Sequence, residues 1–207
     1  MVDFALLALF LPTAFFISIT PGMCMTLSLT LGLTIGIRKT FWMMWGELIG
    51  VGLVAICAAI GVATIMLEFP SFFTAFKWVG GAYLGWLGVQ MWRSRGRMAI
   101  SLDNSQTKDV SRTGLALQGF VTAIANPKGW AFFVTLLPPF LDATKPLAQQ
   151  LVALIAVLLT IEFLCLCLYA GGGRSMRHFL EKSGNVKAMN RVAGTLMVGV
   201  GIWLATG

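Results

Sequence analysis

The chain has 207 residues, of which 57% are apolar and only 11% charged, with a mean hydropathy of +0.84 and a net charge of +7. An ordinary soluble domain does not carry that much apolar surface, so the composition indicates an integral membrane protein. The basic balance does not indicate a nucleic-acid binder. That role needs clustered basic surface with aromatic or groove-reading elements, whereas here the basic residues are spread over short segments between apolar stretches.

A membrane span needs about 20 mostly apolar residues. Six segments meet this: 4–28, 41–67, 70–92, 113–141, 147–170 and 190–206. The fold class expected is therefore all-α and integral to the membrane, with six transmembrane helices and no stretch left for a soluble catalytic domain. The chain opens Met1-Val2-Asp3, an acid where a signal peptide would be basic, so the first stretch is expected to be a retained helix.

The first span belongs to an uncharged run from Phe4 to Ile37, and Thr20-Pro21-Gly22 lies at its middle. Proline lacks the backbone donor and clashes with the preceding turn, so a break is expected there, at mid-membrane depth. The second span carries Glu47 about six residues in, close enough to the helix end for its side chain to reach the interface. Gly46 and Gly50 share one face of that helix, as Gly81, Gly85 and Gly88 do in the third span. Small residues at such spacing suit close helix packing. Trp42, Trp45, Trp78, Trp92 and Trp130 fall near predicted helix ends, as interfacial anchors do. Trp86 is deeper and suits either packing or a cavity wall.

The polar stretch 93–112 is the natural linker between two halves, 1–92 and 113–207. The fourth span begins the second half and repeats the first-span feature. In a run from Thr113 to Leu141, charged only at Lys128, Asn126-Pro127-Lys128-Gly129 sits at the centre. Thr20-Pro21 and Asn126-Pro127 correspond at an offset of 106; Val79, Gly81 and Gly88 match Val192, Gly194 and Gly201 at 113. Three spans per half is an odd number, so the halves are expected to be inverted repeats, with helices 1 and 4 broken at Pro21 and Pro127. Paired mid-membrane breaks in such repeats point to a transporter site.

Thr20 and Asn126 are good N-cap residues, and proline is favoured at the first helical position. Each break is thus expected to start a half-helix whose free N–H groups and positive dipole end suit a carboxylate. The residues expected to bind it are Thr20, Pro21, Gly22, Asn126, Pro127 and Lys128. An unpaired ammonium at the depth of Lys128 costs about 3 kcal/mol on insertion scales. Glu47 and Glu162, the latter central in the fifth span, are its candidate partners. They are also candidates for holding a substrate ammonium or for exchanging a proton with the two sides of the membrane. A buried Lys128–Glu162 pair that only joins two helices is the structural alternative. No nucleophile with a paired base and no metal-ligand cluster stands out, so nothing in the chain asks for an enzyme or a cofactor.

Cys24, Cys57, Cys165 and Cys167 fall within predicted spans and form no CxxC or Cys/His pattern, which reads as small buried hydrophobes. A membrane thiol carrier would want a cysteine at each break, and only Cys24 is near one. His178 stands alone in a basic segment. Twelve basic residues lie between spans 1 and 2, 3 and 4, and 5 and 6, against Lys77 and Lys145 on the opposite side. The positive-inside rule then places both termini outside.

In this order the motifs resemble the LysE/RhtB-type amino-acid exporters over nearly the whole chain. They are Thr20-Pro21-Gly22-Met23 with Gly32 and Gly36-Ile37-Arg38; Lys77 to Gly88, including Gly81-Ala82-Tyr83-Leu84; and Asn126-Pro127-Lys128-Gly129-Trp130-Ala131-Phe132-Phe133 with Pro138-Pro139-Phe140. Where that family usually has Pro-Gly-Pro, this chain has Pro21-Gly22-Met23, leaving an extra backbone donor and a bulkier apolar side chain. The resemblance implies an exporter of amino acids in the bacterial inner membrane, its partners being the substrate, membrane lipid and, by antiport, protons. It also implies a substrate or proton role for Glu47 and Glu162. Neutral aliphatic, hydroxy and basic amino acids all remain open as substrates. The glycine-rich third and sixth helices suit packing within one chain or between two, as in a homodimer. The other classes compatible with the residues are a thiol carrier and a membrane scaffold without substrate.

Overall fold

The computed structural model of the chain describes residues 4–68, 70–93, 111–137, 140–141 and 145–206. The predicted linker lies almost wholly outside them, as do Pro138 and Pro139. Every regular element among the described residues is helical: α1 (Phe4–Ile19), α2 (Met23–Thr34), α3 (Ile37–Glu68), α4 (Pro70–Arg93), α5 (Arg112–Ile124), α6 (Pro127–Leu136), α7 (Leu147–Glu181) and α8 (Ser183–Thr206). By length and apolar composition α3 and α7 are each able to cross a membrane. The pair α1 and α2, bent by 56° at their junction, makes a third span if taken together.

Proline alone does not decide where a helix stops. Pro12 lies inside α1 without ending it, whereas at 20–22 a proline followed by glycine separates α1 from α2. The turn from α2 into α3 uses Gly36 at φ +80°, a left-handed conformation that glycine adopts without steric cost. On the far side of that turn Thr40 returns both its N–H and its hydroxyl to the Gly36 carbonyl.

Three pairings hold the bundle together: α4 on α8, α3 on α5 and α2 on α7. The first two are close-contact seams. A Cβ on Gly46 would collide with the Ala116 carbonyl, and one on Gly119 with the Met43 carbonyl. Between α4 and α8, a Cβ on Gly81 would stand 2.5 Å from the Gly201 carbonyl, and one on Gly88 2.5 Å from that of Gly194. The third-helix and sixth-helix glycines therefore pack within one chain. Gly85 differs from its neighbours, since a Cβ there would meet nothing.

Two differences from the sequence expectation concern α7, α8 and Trp86. The basic segment expected to connect the spans 147–170 and 190–206 is itself helical, α7 reaching Glu181 and α8 starting at Ser183. Gly173, at φ +46°, kinks α7, and a short continuation reaches Glu181 with an Arg177–Glu181 ion pair of 2.7 Å one turn apart. Leu180 and Val186 anchor this region in the apolar cluster around Leu29, Met43 and Leu166. Trp86 is 54% exposed on the outside of α4, stacked on Tyr83.

Candidate functional site

The break at 20–22 leaves the end of α1 with carbonyls that no following turn can satisfy, and water is not at hand in hydrocarbon. Three side chains supply the donors. Thr20 donates its hydroxyl back to the Phe16 carbonyl, at 2.5 Å. Tyr169 of α7 donates to the Ile19 carbonyl, at 2.7 Å. The Lys128 ammonium reaches across from α6 to the carbonyls of Ile17, at 2.8 Å, and Thr20, at 3.4 Å. A cation at a helix C-terminus is the favourable arrangement for the dipole, worth up to about 2 kcal/mol in a partly buried setting.

This corrects two expectations. Thr20 does not cap α2. The N-cap of that helix is Gly22, with no side-chain hydrogen bond, and the helix begins at Met23 and not at Pro21. Lys128 forms no ion pair within 4 Å with Glu47 or Glu162; its compensation is the end of α1. Glu162 nevertheless lies near enough to act on it electrostatically.

The two half-helix starts are unequal. At α6, Asn126 accepts from the Lys128 N–H through its side chain and from the Gly129 N–H through its carbonyl, and Pro127 has no N–H. Its first-turn donors are spent. At α2 the first backbone bond runs from Thr26 to the Gly22 carbonyl, so the N–H groups of Met23, Cys24 and Met25 have no intrahelical acceptor. Met23 turns its side chain outward, at 47% exposure, so the residue that replaces the second proline does not crowd the interior.

One cavity of about 60 Å³, room for a few water molecules, lies at this junction. Thr20, Gly22, Asn126, Lys128, Glu47 and Glu162 all line it. Pro21 sits in the break without lining the cavity, and Pro127 is the first residue of α6. Glu47 is fully buried, so it does not reach the interface. It faces Cys24 and Glu162, yet neither of its oxygens closes a well-formed hydrogen bond with any protein atom. Glu162 keeps part of its surface open towards the cavity, with Ser18 beside it. Contrary to the order suggested by their positions along the chain, Glu47 is the more enclosed of the two.

Ser18 and Tyr169 were not singled out from the sequence, and Cys165 was read only as a small buried hydrophobe. A phenol within an apolar helix needs an acceptor, which is the signal that would have marked Tyr169. Cys24 accepts a hydrogen bond from Asn126 Nδ2 at 3.7 Å. Cys165 comes near Lys128 and Glu162 from α7, so a second thiol does approach this neighbourhood, though not from the second break. All four cysteines are free.

The sequence pattern of the LysE type translocators matches residues 15–207. The chain is 28% identical to a homoserine/homoserine lactone efflux protein of Salmonella typhimurium, over 95% of this chain and 94% of that one. It is 26% identical to a leucine efflux protein of Klebsiella pneumoniae, over 95% and 93%, and 28% identical to an uncharacterized membrane protein of Vibrio cholerae, over 95% of both. No solved structure gives a significant match.

Proposed function

We propose that this chain, which belongs to the LysE type translocator family, is a secondary transporter that exports amino acids across the bacterial inner membrane in exchange for protons. The observation that carries the reading is the convergence of Lys128, Glu47 and Glu162 from α6, α3 and α7 on one cavity between two interrupted helices. Ionisable groups at such depth are functional by default. The relatives named for efflux of homoserine and of leucine support an amino-acid substrate.

The charged groups of the cavity match the two ends of a zwitterion; at about 60 Å³ it must widen between α3, α6 and α7 to admit one. A substrate carboxylate finds the free N–H groups at the start of α2 and the Lys128 proton left over after two go to the end of α1. The substrate ammonium finds Glu47, whose oxygens are otherwise unsatisfied, or Glu162. The cavity holds two carboxyl groups and one lysine. Lys128 balances one carboxylate, the N–H groups and positive end of α2 take the substrate carboxylate, and the other glutamate holds either a proton or the substrate ammonium, not both. Substrate entry from the cytoplasm then releases the proton inward, and a proton arriving from outside displaces the substrate. That mutual exclusion is the requirement for antiport.

The architecture proposed is six spans in two inverted halves, 1–92 and 113–207, joined by the cytoplasmic linker 93–112. The paired helices α1–α2 and α5–α6 are the broken first and fourth spans, with α3, α4, α7 and α8 as the others. Packing supports the inversion. Under the offset of 113, Gly81 is equivalent to Gly194 and Gly88 to Gly201. In the bundle Gly81 meets Gly201 and Gly88 meets Gly194, so each glycine packs on the equivalent of its companion, as an internal two-fold requires. Arg112 lies over Trp42 at 5.4 Å and Arg191 over Trp92 at 5.1 Å. These pairs fit an interface at the basic end, which the positive-inside rule makes cytoplasmic, with both termini outside.

The test is counterflow of labelled amino acids in proteoliposomes, wild type beside Lys128→Met, with and without a pH gradient. Selective exchange that a gradient accelerates and the variant lacks is the expected result. Absence of exchange for every amino acid by folded protein would overturn the reading.

A further inference from the structure

The cavity is polar at one level and apolar at the next. On α3, Val51 and Val54 follow Glu47 by one and two turns, roughly 6 and 10 Å along the axis. On α7, Leu158 lies one turn from Glu162, and on α6, Phe132 and Phe133 lie one turn beyond Lys128. All five of these apolar residues line the same cavity as the charged ones. Val54, Leu158, Phe132 and Phe133 also belong to one apolar cluster, and Val51 packs against it. Cys24 and Met25, beside the unsatisfied start of α2, belong to the other cluster. Three helices of differing direction thus place their charges at one level and their aliphatic and aromatic side chains about 6 Å away on the same side.

Resting on the exporter reading above, we infer that the substrate is an amino acid with an aliphatic side chain of about four heavy atoms, such as leucine, isoleucine or methionine, and that Val51, Val54, Phe132 and Leu158 determine this choice. With the zwitterion held at the charged level, the side chain points into the apolar layer, where a one-turn depth matches its length. A hydroxyl reaching that layer has no partner among these residues, and a second ammonium would be buried without a counter-ion. An apolar pocket rejects an added hydroxyl by about 100-fold.

The experiment is exchange by wild-type protein in proteoliposomes, with leucine, methionine, homoserine and lysine supplied labelled in turn, each to vesicles preloaded with the same amino acid unlabelled. Leucine and methionine are expected to exchange with kcat/KM about 100-fold above homoserine, with lysine not transported. Val54→Thr, near-isosteric but carrying a hydroxyl in the wall, is expected to narrow the leucine-to-homoserine ratio by about tenfold or more. Homoserine or lysine exchanging as well as leucine in the wild type overturns this inference and leaves the exporter reading standing, as does an unchanged ratio in Val54→Thr with exchange intact. No exchange of any of the four overturns the exporter reading and this inference with it.

Discussion

Lys128 has two kinds of partner within reach of one ammonium group: the carbonyls of Ile17 and Thr20, and the cavity in front of them. Replacing it with methionine removes the α1 cap and the cation together, and an interaction of this type costs upwards of 2 kcal/mol when one partner is truncated. Lys128→Met is therefore expected to lower counterflow by at least about tenfold, measured against protein quantity in the vesicles. Tyr169→Phe separates the two roles. It leaves the Ile19 carbonyl without its donor but keeps every charged group, so it is expected to cost about 1–3 kcal/mol of stability, seen as a lower unfolding temperature in detergent, while substrate preference stays the same. The ionisable residues at this scale were legible from the sequence because charge in an apolar run is conspicuous. Their partners were not. Whether Glu47 turns inward depends on α5 lying against α3 at Gly46 and Gly119, a contact between segments some 70 residues apart that no local pattern encodes. The acceptors of Lys128 are backbone carbonyls, which every residue has and no sequence distinguishes.

At the level of elements, the α4–α8 seam gives a sharp contrast between neighbouring positions. A Cβ at Gly201 would stand 2.6 Å from the Gly81 carbonyl, whereas one at Gly199 would meet nothing. Gly201→Ala is expected to force the helices apart and reduce stability by 1 kcal/mol or more. Gly199→Ala is expected to be neutral or to stabilise by about 0.5–1 kcal/mol, because alanine favours a helix interior. Thermal unfolding of the two variants side by side checks both. Helix positions were largely readable from apolar runs, since a run's length and its glycine and proline punctuation are local properties. The ends were less so. The predicted fifth span, α7, runs past position 170 as far as Glu181 because Gly173 absorbs a kink that would otherwise end it, and the Arg177–Glu181 pair stabilises the extra turns. Thr20 was read as opening the second half-helix because threonine is a good N-cap, whereas its hydroxyl donates back to the Phe16 carbonyl.

For the molecule as a whole, the arrangement proposed places the segments around Arg38, Arg112 and Arg191 on the cytoplasmic face and Lys145 on the outer face. In a variant with the native cysteines replaced, Lys39→Cys is expected to resist a membrane-impermeant maleimide added to intact cells, while Lys145→Cys is labelled. The reverse pattern would invert the proposed topology and leave the direction of transport, which the proton gradient sets, unchanged. The native thiols carry a further consequence. Cys24 lines the central cavity, Cys57 is exposed on the outer surface of the bundle, and Cys165 is packed in the interior. A small water-soluble alkylating reagent that reaches Cys24 from only one side of the membrane at a time, and is slowed there by bound substrate, turns an unmodified residue into a clock for which doorway of the carrier stands open.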